Sequence, residues 1–380
     1  MNEPNSAPIE EYQSYGPRHG TSLLGHAAAE HDLRTAWQSG RMPHAWLITG
    51  PKGIGKATLA FRFARHVLAT AGWPAAASPP AADSLEMDPD DPVFRAVAGF
   101  SHPGLLTVER QWDPKRKVWQ SVINVDAARA MGRFFAMKAA PGAWRIAVID
   151  AVDDMNRNAA NAVLKLVEEP PERGLVLLIS HAPGGLLPTI RSRCRVLGLQ
   201  SLAETDVASI VGVWRPDLPP DDAAAVARLA EGSAGRAIAL ADAGGPALYR
   251  GMIGLLADLP KLNLARLDEF VGRFARRAAD AEFAAVAALM QGWVARLVKG
   301  NTVPDDIADL VAGEGALMAR LGAQLGLEPR LALWDKVAAL LNRADAVYLD
   351  RKQVLTSAFL AIETAARVQA ITPGSVVSGR

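Results

Sequence analysis

The chain has 380 residues, half of them hydrophobic and 21% charged, with a formal net charge of +1. That length suits two or three domains, and the near-neutral charge gives no global electrostatic reason to expect binding to nucleic acid or membrane surfaces. A single cysteine, Cys194, excludes an internal disulfide framework and a cysteine-rich zinc site. Residues 1–20 are polar, lack the basic start and apolar core of a signal peptide, and read as a disordered tail. No apolar run approaches the roughly 20 residues that span a bilayer. No membrane partner is expected, and the expected compartment is the cytoplasm.

Helical spacing over His26–Gly40 puts Leu33, Ala36 and Trp37 on one face. Ala45–Thr49 reads as a short buried strand running into Gly50-Pro51-Lys52-Gly53-Ile54-Gly55-Lys56-Ala57. The helix after it carries Leu59, Phe63 and Val67 at four-residue spacing. Thr70 to about Pro92 is rich in Ala, Pro, Ser and Asp and reads as a loop or insertion. Leu105–Glu109 and Val118–Val125 are predicted strands flanking a polar turn, Asp113–Lys117. Asp126 is the predicted cap of a helix to about Lys138. Arg145–Asp150 and Leu175–Ser180 are further buried-strand candidates. Between them a helix spans Asn156–Val167 and stops at Glu168-Glu169-Pro170-Pro171. Near-continuous apolar strands alternating with helices indicate a parallel α/β sheet. Beyond about Gln200 only helical spacing remains. Three short helices (Glu204–Trp214, Asp221–Glu231, Ser233–Ala243) precede an Ala- and Leu-rich region to about Ala370. Trp293 and Trp334 are expected in its core.

The glycine-rich segment follows the phosphate-loop pattern G-x-x-x-x-G-K-[ST] up to its last position. Gly50, Gly53, Gly55 and Lys56 keep the backbone cradle and the phosphate-pairing lysine. Ala57 lacks the hydroxyl that would hold Mg²⁺, and Thr58, rotated by about 100° on the helix, is a poor substitute. Asp150 ends an apolar strand, where it could bind Mg²⁺ through water. Ala151 follows, so no adjacent glutamate is present to activate a water. Gly50, Gly53, Gly55, Lys56, Thr58 and Asp150 therefore form a candidate degenerate site for ATP, either binding nucleotide without hydrolysis or standing empty. Asp153 and Asp154 are expected in a solvated turn capping the next helix. Arg191, Arg193 and Arg195 would share one face if extended, either as a solvated basic edge or as a phosphate-directed arginine for another subunit.

Taken in order, His44-Ala45-Trp46, the phosphate loop, Val148-Ile149-Asp150, Asn161-Ala162-Val163-Leu164-Lys165, Glu168-Glu169-Pro170-Pro171 and Ser192-Arg193-Cys194 resemble the AAA+ subunits of bacterial DNA polymerase III clamp loaders. The resemblance covers most of residues 24–240, with a weaker C-terminal echo at Leu349-Asp350-Arg351-Lys352-Gln353. It implies an AAA+ P-loop core (21–200), a small helical lid (201–244), an all-α collar that joins a pentameric ring (245–370) and a tail (371–380). It further implies a non-hydrolysing stator in which Arg193 acts as a finger on ATP held by a neighbouring gamma/tau subunit. The delta subunit, the sliding clamp and primed DNA are the other implied partners. The chain would be a component of the DNA-directed DNA polymerase (nucleotidyltransferase) holoenzyme with no ATPase or polymerase activity of its own. Many relatives carry a four-cysteine zinc module after the phosphate-loop helix. Thr70–Pro103 holds no cysteine here, so zinc is not expected. A lid arginine expected in a Gly-Ser-x-Arg pattern is displaced by one in Gly232-Ser233-Ala234-Gly235-Arg236. His181 reads as structural or solvated. Two other readings stay open: an autonomous AAA+ remodelling ATPase rescued by Thr58 or an acid near Asp153, and a scaffold whose loop binds nothing.

Overall fold

The computed structural model describes residues 16–70, 83–113, 118–137, 142–276, 279–300, 311–347 and 350–370. Two compact units emerge. One comprises Met1–Asp206 with Glu231–Gly235; the other comprises Val207–Ala230 with Arg236–Arg380.

The first unit is built on β1 (Ala45–Thr49), β2 (Leu105–Glu109), a short antiparallel pair β3 (Trp112–Asp113) and β4 (Val118–Trp119), β5 (Arg145–Asp150), β6 (Gly174–Ser180) and β7 (Arg195–Gly198). The main sheet has the order β2-β5-β6-β1-β7, and every neighbouring pair in it is parallel. Its helices are α1 (Ala27–Gln38), α2 (Lys56–Thr70), α3 (Pro92–Ala98), α4 (Val125–Ala136), α5 (Arg157–Glu168) and α6 (Pro188–Arg191). Every residue of β1 and β6 is buried, because helices cover both faces of a parallel sheet. One core, with Leu33, Trp46, Phe63 and Val148, lies on the α2 face. A second, with Leu47, Met131, Ile149 and Val163, lies on the α4–α5 face. The expected α/β P-loop core is present.

Several expectations need correction. Val118–Val125 is not one strand: only Val118–Trp119 pairs, Ile123 makes a single parallel bridge to Met155, and Val125 already opens α4. The cap of α4 is Asn124, whose side chain accepts from the amides of Asp126 and Ala127, each at 3.1 Å. Asp126 lies two residues too late for that role, as the second residue of the helix. Helix α3 and strand β7 form where no element was expected. Of the supposed N-terminal tail, residues 16–20 are ordered around a 3₁₀ turn, Pro17–His19. The rest of that tail, residues 71–82 of the Ala/Pro-rich insertion and the 371–380 tail lie outside the described residues.

Among the described residues the elements of the second unit are helices: α7 (Glu204–Trp214, entered from the first unit), α8 (Pro220–Leu229), α9 (Ala234–Asp242), α10 (Gly245–Leu256), α11 (Leu264–Gly272), α12 (Asp280–Lys299), α13 (Glu314–Gln324), α14 (Leu327–Val347) and α15 (Arg351–Ala370). The all-α C-terminal region is thus as expected. Trp293 is fully buried with Phe274 and Phe359. Trp334 is not core; it is 41% exposed, on one stripe of α14 with exposed Leu327 and Leu331. Positions i, i+4 and i+7 lie on one helix face, and here that face is turned to solvent. Contrary to the sequence expectation, α12 has the length and mean hydropathy of a membrane-crossing helix. Its Phe283, Val286, Leu289, Met290 and Leu297 are buried within the bundle. A buried polar cluster ties this unit together: Arg296 donates to the Tyr249 hydroxyl and pairs with Glu314 at 3.1 Å, and Tyr249 donates to Glu314.

Candidate functional site: a phosphate loop and an exposed arginine

The loop after β1 takes its shape from its glycines. Gly50, Gly53 and Gly55 have φ of 139°, 79° and 104°, a region that side chains disfavour. A Cβ at Gly50 would lie 2.4 Å from the Leu199 carbonyl, and one at Gly53 2.4 Å from Ser233 Oγ. The 231–235 segment closes on the loop: Gly235 N–H donates to the Gly53 carbonyl at 2.8 Å and Ser233 Oγ to the Lys52 carbonyl at 2.9 Å. His26 is hydrogen-bonded to the Ile54 carbonyl at 2.7 Å.

Lys56 is 3% exposed and donates to the loop's own carbonyls, Gly50 O at 2.7 Å and Pro51 O. Burial pulls its pKa down to about 8, against the opposing pull of Asp150 and Asp153. Ala57 packs its methyl against the apolar core on the α2 face, and Ala151 is 2% exposed in the same core. Both positions where a hydrolytic site needs a polar group have thus been absorbed into hydrophobic packing. Thr58 directs its methyl at Gly20.

Because β6 lies between β1 and β5, the phosphate loop and Asp150 face each other across the end of β6. Burial, reinforced by Glu109, pushes the Asp150 carboxyl up to about 6, with Lys56 opposing. Asp153 does not cap α5. It accepts from Ser180 Oγ at 2.9 Å, from the His181 amide and from the Ala182 amide at 3.3 Å, and so pins the loop leaving β6. Asn156 caps α5 instead, accepting from the Ala159 amide at 2.9 Å. Asp154 pairs with Arg110 at 3.3 Å. The His181 pKa is lowered, chiefly by burial and then by Lys56.

The three arginines do not share an extended face. Arg191 ends α6, Arg193 sits in the following turn and Arg195 opens β7. Arg195 lies over the Trp46 ring at 5.0 Å. Arg193 is 41% exposed, paired with Glu168 at 3.0 Å, and donates to the Thr189 carbonyl at 3.3 Å. Cys194 beside it points inward, 9% exposed, and burial raises its thiol pKa to about 11. Arg236 belongs to the second unit, where its Nη2 reaches the Ala288 carbonyl at 3.5 Å.

Sequence reasoning missed Arg18 and Arg65. Arg65, 1% exposed on α2, donates to the carbonyls of Arg18 and Gly20 and lies over the Phe94 ring at 4.3 Å. Its pKa is pulled down to about 9 by burial and then by Arg62. Two basic residues three apart, Arg62 and Arg65, among the apolar residues of α2 were the available signal.

Residues 25–203 match the family model described as DNA polymerase III, delta subunit. The delta-prime subunit of Pseudomonas aeruginosa DNA polymerase III is 37% identical over 151 residues, 40% of this chain and 41% of that protein. Over this region the chain is similar to delta-prime subunits of DNA polymerase III. The delta-prime subunit of Bacillus subtilis is 28% identical over 170 residues, 45% of this chain and 46% of the relative. The tau/gamma subunit of Haemophilus influenzae is 26% identical over 235 residues, 60% of this chain and 31% of the relative. Each match spans less than half of the relative's length. The matched region, residues 25–203, contains the phosphate loop, Asp150 and Arg193 together.

Proposed function

We propose that the chain is a clamp-loader stator of the DNA polymerase III holoenzyme. It supplies Arg193 to ATP on a neighbouring gamma/tau subunit and assembles with delta in the cytoplasm. The assembly loads the sliding clamp onto primed DNA. The observation that carries this reading is a contrast within one domain. The phosphate loop's lysine is engaged by loop carbonyls and its missing polar groups are replaced by core methyls, while Arg193 presents a guanidinium at the surface. An exposed ion pair is worth at most about 1 kcal/mol, so Glu168 is readily exchanged for a phosphate. An arginine finger contributes roughly 10³–10⁵ in rate to phosphoryl transfer in related systems.

Contact with nucleic acid is supported by α4 and α5. The bridge between Ile123 and Met155 sets their capped N-termini side by side, and exposed Arg129, Arg157 and Lys165 lie along them. Helix N-termini and guanidinium groups both favour phosphate oxygens.

The test is reconstitution with gamma/tau, delta, clamp and primed DNA. Arg193→Ala is expected to abolish most DNA-stimulated ATPase in an assembly that still forms, with no turnover by this chain alone. Unchanged ATPase in an intact mutant assembly favours the scaffold reading. Robust turnover by the chain alone favours an autonomous AAA+ ATPase.

A further inference from the structure

The acidic edge of the sheet is where a P-loop ATPase would hold a metal ion. Glu109 and Asp150 end adjacent strands as direct register partners. The residues here do not fit Mg²⁺, because Ala57 offers no oxygen and Ala151 no carboxylate. A cation is nevertheless in place. Arg18 pairs with Glu109 through both carboxylate oxygens, at 3.1 and 3.2 Å, and lies within electrostatic reach of Asp150. Its side chain is 16% exposed. The guanidinium stacks 3.3 Å from the Phe100 ring centroid, with Phe61 at 5.5 Å. Two anchors fix the segment that carries it: buried Arg65, bonded to the carbonyls on either side of His19, and Gly20, seated against Thr58.

We propose that Arg18 is the resident counter-ion of this edge, standing in for the divalent metal, and that Gly16–Gly20 is a strap that keeps the chain's own phosphate loop out of metal–nucleotide chemistry. One guanidinium nitrogen, Arg18 Nη2, is shared between both Glu109 oxygens and gives that carboxylate a charged partner without a metal. Stacking on Phe100 holds the fork in one orientation. The strap therefore adds a second barrier to the loss of the hydroxyl at Ala57. Restoring that hydroxyl alone leaves the guanidinium in place. This inference rests on reading the chain's own site as degenerate and makes no use of Arg193.

The experiment uses the full chain as wild type, Ala57→Thr, Arg18→Gln and the double variant, with fluorescent ATP titrated with and without MgCl₂. Mg²⁺-dependent affinity is expected to rise about tenfold or more only in the double variant. An equal rise in Ala57→Thr alone, or none in the double variant, overturns the proposal. A melt without nucleotide gives an independent reading. MgCl₂ is expected to raise the Tm of the double variant above an ionic-strength-matched NaCl control, while wild type and Ala57→Thr show no such excess. No excess in the double variant, or the same excess in wild type, also overturns it. ATPase loss by Arg193→Ala in the reconstituted assembly reports on the finger alone, so the two ideas fail separately.

Discussion

Arg193 and Glu168 meet at 3.0 Å, each about two-fifths exposed, where the end of α5 approaches the turn before β7. A pair this open contributes little to folding. Arg193→Ala is expected to change the chain's unfolding free energy by less than about 1 kcal/mol in urea melts, while the reconstituted assembly loses roughly 10³-fold or more in stimulated ATPase. A large loss of stability instead would assign Arg193 to the fold.

Arg65 stands at the opposite extreme. Removing a buried arginine that holds two carbonyls leaves those acceptors unpaired and a cavity beside Phe94. Arg65→Ala is expected to cost roughly 3–5 kcal/mol. The segment at residues 16–20 should then become sensitive to limited proteolysis while Arg193→Ala stays resistant.

Asp150 carries a pH signature. Its folded pKa, about 6, exceeds the ordinary value of 3.8 because it is buried beside Glu109, with Asp154 adding to the effect and Lys56 and Lys52 opposing it. The folded state therefore binds more protons between those values, and stability falls as pH rises from about 4 to about 6. Asp150→Asn removes the penalty. It is expected to gain up to roughly 2–3 kcal/mol at pH 7.5 and almost nothing at pH 4, read from urea midpoints at both. A gain independent of pH would contradict this origin.

Asp153 organises the loop that faces the phosphate loop. Asp153→Ala strips partners from Ser180 Oγ and two amides. The expected cost is roughly 1–3 kcal/mol, with faster amide exchange at His181 and Ala182. Protection unchanged at both amides would rule out this role.

The two tryptophans of the second unit give a paired test. Trp293→Ala is expected to cost roughly 3–5 kcal/mol. Trp334→Ala should stay within about 0.5 kcal/mol for the isolated chain, as surface substitutions do. Equal losses in chemical denaturation would mean that α14 packs both faces inward.

The strands β1, β5 and β6 were legible because a parallel strand covered on both faces is a continuous apolar run. The phosphate loop was legible because its glycines are required by backbone shape. Arg193 was singled out through the Ser-Arg-Cys resemblance, and the extended geometry first entertained for its neighbours failed at the turn. Other features were hidden for identifiable reasons. Trp334 has the composition of a core residue, and only the packing around α14 shows which stripe faces out. Asp153 has the local pattern of a cap, yet its partners lie 27 to 29 residues away. The Arg65–Arg18–Glu109 chain links residues up to 91 positions apart, and no local spacing encodes it.

Cys194 is the chain's sole thiol, buried directly beside Arg193. With its pKa raised to about 11 by burial, only about one thiol in a thousand is ionised at pH 8 while the turn stays closed. Alkylation must therefore wait for the turn to open. The native chain thus carries a single-site chemical clock on the segment that holds Arg193, readable by mass spectrometry without any introduced label.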